Sequence, residues 1–439
     1  MRQAWTIHLL AHILFTTQAN ALFRTGISPA IQDPVTNPPL KICPVAQDGA
    51  TSNTFPWTIN PTCLQTVIPD EKQDHGHIGT HETFCVYTNT EFHAKRGISL
   101  ITTPEVAAEL TYTTFEPYES LSADPAPFAQ KHIEGKGEGL FATRDISEGD
   151  ALMLNSPVLF VHRHALETPS RQRRHTLLRT AIDQLPKKTK DSFMALSRQG
   201  GEYEIEDIIN VNSMRVKVWD GSSHLVVVPE ASRVNHACRP NAHYRFDDTT
   251  LNLDVSALTD IKSGEELTFS YGYSHLPHEP RIQALQETWG FTCTCPLCTA
   301  NSTTKSASDA RLQQISEIKS ILPTSPSSMP ELLGLLPDLI SLLEAENLIK
   351  DLPMYEEILA YTWSSFGIEE RAKIWAGRAA RHWSIVAGRE SWEAKRMRDM
   401  EEDVRGHGTW LGWDGEDPWE GVGKGHPWEM DDHDHDHDD

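Results

Sequence analysis

The chain has 439 residues, 38% of them apolar and 23% charged, enough to bury more than one core and to divide into several parts. Its 62 acidic against 39 basic side chains leave a formal charge of −23 and a pI near 5.3. That field excludes a nucleic-acid backbone as a direct partner, which needs a basic stripe, and suits a basic protein segment instead.

In chain order, residues 1–21 read as an export signal: an early Arg2, an apolar run over 4–15, then the small-residue stretch 18–21 where a signal peptidase can cut. Cleavage there places the protein in the secretory pathway or outside the cell, with nucleus or cytoplasm as the alternative. His8 and His12 interrupt the run, which is short for a bilayer, and no later stretch is long and apolar enough to span one, so no membrane association is expected after cleavage. Residues 22–127 form an irregular and β region. Pro, Asn and Thr over 27–61 predict irregular structure with few helices, β-branched and aromatic residues predict strands at 83–90 and 97–102, and Pro104 opens a short helix. Residues 121–127 read as a linker.

Short strands bounded by Gly, Pro or Asp then recur at 139–142, 150–154, 158–161, 225–228, 251–258 and 266–269. They are interrupted by charged, helical sequence at about 164–206, with Leu166, Leu177, Leu178, Ile182 and Leu185 as core candidates. After a polar linker at 301–308, helix-spaced residues such as Leu332, Leu336, Leu339 and Leu343 predict a helical domain over 309–404. Residues 405–439, rich in Gly, Trp, Asp and His, read as a solvated, disordered tail.

Four stretches carry chemistry. The first is Gly135-Lys136-Gly137-Glu138-Gly139-Leu140-Phe141-Ala142, whose glycines let the backbone turn sharply and approach a ligand; a simple turn is the bland reading. The second, running from Ser232 through Asn235-His236-Ala237-Cys238-Arg239-Pro240-Asn241, packs a carboxamide, an imidazole and a thiol within four positions; a buried, hydrogen-bonded histidine is its alternative. The third, Glu265-Glu266-Leu267-Thr268-Phe269-Ser270-Tyr271-Gly272-Tyr273, ends a strand on two tyrosines. The fourth, Trp289-Gly290-Phe291-Thr292-Cys293-Thr294-Cys295-Pro296-Leu297-Cys298, is the most specific alone. Three thiolates on a tight turn can occupy three corners of a tetrahedron, and the distant Cys238 closes it. Cys43, Cys63 and Cys85 are an odd set, giving one disulfide and a spare thiol if the chain is exported. Zinc thiolates and disulfides prefer opposite redox conditions.

Taken together, in this order, the four stretches resemble the SET-domain family of protein lysine methyltransferases over 128–298. The resemblance implies a mixed α+β fold: a SET domain of small sheets at 128–273 with its helical insert, a post-SET zinc segment at 274–300, and the C-terminal helical domain. It implies S-adenosyl-L-methionine bound by Lys136, Gly137, Glu138, Asn235, His236, Tyr271, Trp289, Gly290 and Phe291. Asn212-Ser213 resembles a further asparagine-containing stretch that touches the cofactor. Tyr271 is the implied catalytic residue, and one structural zinc ion is implied on Cys238, Cys293, Cys295 and Cys298. The helical C-terminal domain places the chain nearest the SMYD branch and its fungal relatives, yet the insert has no cysteine, so the MYND zinc module and partner recruitment through it are not expected.

The implied partner is a protein that presents a lysine, in a basic segment. Two other readings stand beside the enzyme: an inactive SET-fold interaction module, and a secreted, disulfide-stabilised interaction protein.

Overall fold

The computed structural model describes residues 41–42, 57–68, 80–112, 126–168, 170–218, 221–323 and 329–413. All of them belong to the unit that runs from Lys41 to Asp439. The export signal, Cys43, most of the 121–127 linker and the His/Asp tail from 414 onward lie outside the described residues.

A seven-stranded sheet forms one layer, in the order β1-β2-β3-β4-β8-β10-β9. Its members are β1 (Lys41–Ile42), β2 (Ile59–Ile68), β3 (Thr80–Asn89), β4 (Ile98–Thr102), β8 (Leu159–His162), β9 (Met214–Lys217) and β10 (Ser223–Val227). β1 and β2 fall partly within 27–61, which composition predicts to be irregular. The correction is physical: β2 becomes a strand by pairing with β3, and local composition does not reveal that pairing. Cys63 and Cys85 stand opposite each other in that pair and are disulfide-bonded. Between β3 and β4 lies a short turn, α1 (Phe92–Lys95), and α2 (Pro104–Tyr112) follows β4.

Three small sheets stand beside the large one. β5 (Phe128–Ile133) pairs with β6 (Gly137–Ala142); β7 (Ala151–Asn155) and β12 (Ala242–Asp247) flank β13 (Asn252–Ala257); and β11 (Asn235–His236) runs parallel to β14 (Thr268–Phe269). Their apolar faces meet in one core that includes Leu140, Ile146, Leu152, Phe160, Val226, Val234, Leu253, Leu267 and Phe269. The insert is helical, with α3 (Arg163–Leu166), α4 (Arg171–Asp183), α5 (Lys187–Met194) and α6 (Glu204–Asn212). Leu177, Leu178, Ile182 and Leu185 are buried there, and Leu166 is half-buried.

After α7 (His278–Trp289) and the one-turn α8 (Pro296–Thr299), a second core is built by α9 (Ser302–Ile321), α10 (Met329–Ala345), α11 (Leu352–Ser365), α12 (Glu369–Val386) and α13 (Trp392–Glu402). Leu332, Leu336, Leu339 and Leu343 line it. Two expectations need correction. Residues 302–308, expected to be a linker, are the first two turns of α9, because the Asn301 side chain caps the Thr304 N–H at 2.9 Å and offsets the run's low helix propensity. The tail does not begin at 405: the Thr409 hydroxyl donates to Ser364 Oγ, the Leu411 N–H donates to the Ser364 carbonyl, and Trp410 and Trp413 pack on the helical core.

Candidate active site and metal centre

The site forms where the short motif strands come together. The parallel register sets Asn235 beside Thr268 and His236 beside Phe269, and a single bridge joins Phe141 of β6 to Glu266, just before β14. Side chains lock the arrangement. The Asn241 amide donates to the Glu266 carbonyl at 2.9 Å and its oxygen accepts the Thr268 N–H at 2.8 Å, so the last residue of the N-H-x-C-x-P-N stretch staples the third stretch to the second.

On the glycine-rich turn, Gly135 and Gly137 have φ of 78° and 83°, and a Cβ on either would meet open space. There the requirement is backbone conformation, which an L side chain rarely adopts. Gly139 is different: its Cβ would come within 2.6 Å of Ile133 Cδ1 and 2.9 Å of Asn235 Nδ2. The missing side chain leaves room for Asn235, whose amide donates to Glu266 Oε1 at 2.8 Å and to the Glu138 carbonyl at 3.2 Å. Lys136 Nζ lies 3.5 Å from Glu266 Oε2. The Glu138 side chain faces back along the hairpin, where hydrogen bonds from Gln130 and then His132 hold its carboxyl below the usual range.

Tyr271 is enclosed by rings: Trp289 at 5.2 Å, His236 at 5.4 Å and Phe291, edge-on, at 6.3 Å between centroids. Its hydroxyl donates to the Val234 carbonyl at 2.7 Å, and the Trp289 indole N–H donates to the Tyr271 carbonyl at 3.3 Å. Burial, reinforced by the Glu266 carboxylate, pushes the phenol well above its ordinary pKa, so it remains a neutral hydroxyl throughout the physiological range. Tyr273 turns away through a positive φ of 65° and pairs its hydroxyl with Thr288.

His236 is buried and bridges two parts of the site. Its Nδ1 accepts the Tyr271 backbone N–H at 3.0 Å, which assigns the ring proton to Nε2, 3.5 Å from Cys238 Sγ. The sulfurs of Cys238, Cys293, Cys295 and Cys298 are all buried and lie within 4.8 Å of one another, with Cys238 at 3.8 Å from Cys293 and 3.4 Å from Cys298. A tetrahedral zinc with bonds of about 2.3 Å separates its sulfurs by roughly 3.8 Å, so the cluster has the size zinc requires. Four thiolates would close the shell, making such an ion structural.

Gly290, in the left-handed region at φ 74°, ends α7 and turns the chain toward Phe291 and the cysteines. Gln199 of the insert donates its side-chain amide to the Trp289 carbonyl. Asn212 and Ser213 lie at the end of α6, and the Ser232 hydroxyl donates to the Asn212 carbonyl at 2.9 Å, just ahead of Asn235. The Asn212 amide itself donates to the carbonyls of Ser197 and Ile208, so here it braces the insert.

Sequence reasoning missed Val234, Glu266 as an anchor, Gln199, and Glu346. Glu266 and Val234 were within quoted motifs, but nothing local marks their partners. Glu346, almost fully buried, accepts from Arg239 and Ser308 on one oxygen and from Arg311 at 2.6 Å on the other. Arg239 follows Cys238 of the sulfur cluster and also donates to the carbonyls of Cys238 and Ser274. Glu346→Gln is expected to cost about 2 kcal/mol in stability, since it leaves the part-buried Arg239 guanidinium without its carboxylate. Denaturant unfolding measures it; a loss under 1 kcal/mol would show that the network is not a tie between the helical region and the cysteine strand.

A SET domain family model matches residues 137–272. Histone-lysine N-methyltransferase SET5 of Meyerozyma guilliermondii is 30% identical over 220 residues, covering 49% of this chain and 38% of that protein. The set5 histone-lysine N-methyltransferase of Schizosaccharomyces pombe is 24% identical over 189 residues, 43% of this chain and 53% of that protein. Protein-lysine N-trimethyltransferase SMYD5 of Gallus gallus is 39% identical over 71 residues, 16% of this chain and 17% of that protein. The chain thus spans about half or less of the length of these curated relatives. The glycine turn, the Asn235-His236 strand and the Tyr271 strand end all fall within or at the edge of the matched region, and the chain therefore carries a SET domain, related in sequence to the fungal SET5 and the SMYD5 proteins.

Proposed function

We infer that this chain is a protein-lysine N-methyltransferase that uses S-adenosyl-L-methionine. The observation that carries the reading is Tyr271: a neutral hydroxyl fixed on the Val234 carbonyl, inside a ring enclosure, beside the strand pair that joins Asn235 to the glycine turn. The donor set fits the cofactor. Gly135 and Gly137 leave open space beside the backbone, Asn235 offers a carboxamide, and Lys136 offers a cation suited to a carboxylate. When bound, the cofactor supplies an electrophilic methyl on a positive sulfur.

Methyl transfer requires a neutral amine, and removing a proton from a lysine near pH 7 costs roughly 4–5 kcal/mol. Walls made by Tyr271, Trp289 and Phe291 disfavour the ammonium by desolvation. The Tyr271 hydroxyl and the Val234 carbonyl then orient the amine, so the acceleration comes mostly from positioning. With the cofactor bound, these walls and the Tyr271 hydroxyl would hold the amine nitrogen, its proton already lost to solvent, in line for direct attack on the methyl. No enzyme nucleophile is needed.

The SET5 relatives are named for histone lysines, and the chain's charge of −23 suits a substrate lysine in a basic segment. Export of the mature chain is part of the reading and is supported by the Cys63–Cys85 disulfide, a bond typical of oxidising compartments. Transfer of labelled methyl groups to proteins of an extract tests the activity. Asn235→Ala is expected to weaken cofactor binding about tenfold, roughly 1.4 kcal/mol, because the hydrogen bonds that hold the glycine turn are lost. Calorimetry with unchanged affinity in a folded variant would remove Asn235 from the pocket.

A further inference from the structure

The large sheet carries a second group of metal-capable side chains, far from the cysteine cluster in sequence and used by no step above. Glu82 comes from β3, His162 ends β8, and His164 opens the insert on α3. One nitrogen of each imidazole and one Glu82 oxygen all lie within 4.8 Å of one another. We propose that Glu82, His162 and His164 form a binding site for a divalent transition cation of the zinc class, tying the disulfide-bearing hairpin of β2 and β3 to the start of the helical insert.

Two observations point to a cation rather than to a plain ion pair. His164 Nδ1 and Glu82 Oε2 are 3.6 Å apart, too long for a hydrogen bond. Two ligands on one tetrahedral zinc, with bonds of about 2.0–2.2 Å, stand roughly 3.4 Å from each other. In addition, Glu82 Oε2 is shielded from solvent and accepts no hydrogen bond, although a carboxylate oxygen removed from water ordinarily needs a donor or a metal.

The donor set of two imidazoles and a carboxylate is one that zinc accepts, and it leaves a fourth position open on the side of His164, whose ring is half in solvent. His162 Nδ1 accepts the His164 backbone N–H at 3.2 Å, a contact that coordination through that nitrogen would replace. Its ring meets His224 edge-on at 4.7 Å and lies 5.3 Å from Phe84, a packed wall that restricts its orientation.

The test measures bound metal in the full-length chain with His433, His435 and His437 changed to alanine, which removes the tail as a competing ligand. After dialysis against zinc, about two ions per chain are expected, the second lost in Glu82→Gln and in His164→Ala while the first persists. Cobalt substitution gives an independent readout: the cysteine site shows thiolate-to-metal charge transfer, whereas the proposed site contributes only weak d–d bands that vanish in the same variants. Each variant changes a partly exposed residue, and equal melting in the presence of chelator verifies that it folds. One zinc per chain, or a second zinc retained in both variants, overturns the proposal and leaves Glu82 and His164 as a simple ion pair.

Discussion

Cys295→Ser is expected to abolish zinc binding at the cysteine cluster and methyl transfer together. Its thiol is one of four buried sulfurs set at zinc spacing, and three thiolates leave an incomplete tetrahedron. Structural zinc sites of this kind hold about 10–16 kcal/mol of apparent binding free energy, so its loss exceeds the stability of the short segment it organises. An ion there would bracket that segment: Trp289 and Phe291 lie four and two residues before Cys293, and Cys238 lies two residues after His236, whose ring holds the Tyr271 backbone. Chelation should act like the mutation and expose residues near 289–298 to protease. Metal analysis beside a methylation assay makes the check: Cys238→Ser and Cys295→Ser should both lose the ion, whereas Cys63 and Cys85, held in a disulfide on another sheet, should not matter to it. Full activity in Cys295→Ser that has lost the cysteine-cluster ion would separate the cluster from catalysis.

Tyr271→Phe should lower turnover about 100-fold or more, near 3 kcal/mol in the barrier, with cofactor affinity changed by no more than a few fold. The substitution keeps the ring contacts to Trp289 and Phe291 and removes the hydroxyl that the Val234 carbonyl positions. Because the phenol's pKa is raised, it stays protonated across the working range. The pH–rate profile should therefore rise as substrate lysine deprotonates, without a fall from Tyr271 ionisation below about pH 10. A variant that keeps wild-type kcat would remove the hydroxyl from the mechanism, and a variant with unchanged kcat but raised KM would assign it to substrate binding alone.

Much of this site could be read along the chain because its residues come in short runs with local requirements. Gly135 and Gly137 occur where the backbone takes a left-handed turn, and Cys293, Cys295 and Cys298 share one tight loop, so composition and spacing betray them directly. Strands such as β3 and β4 were legible for the same reason, being rich in β-branched and aromatic residues between turn signals. β2, β9 and β12 were not, because each acquires its identity from a partner strand. The two-residue β11 is too short for any periodicity, whereas β14 falls inside the expected strand at 266–269; Asn241 fastens one to the other.

By itself, then, the sequence determined the order of the four motifs, the grouping of Cys293, Cys295 and Cys298, the helical insert and the helical C-terminal region, since each depends on spacing within a few turns of chain. Tertiary structure alone decided what those residues face. It set the Tyr271 hydroxyl on Val234, gave the His236 imidazole to Tyr271 and Cys238, spent the Asn212 amide inside the insert, and put Glu346 between Arg239 and Arg311. It also brought Glu82 to His162 and His164 across neighbouring strands. The reason is geometric: a hydrogen bond or coordination bond is made over about 2–3 Å, and which distant residues come that close is settled by strand pairing and core packing, which no local window contains.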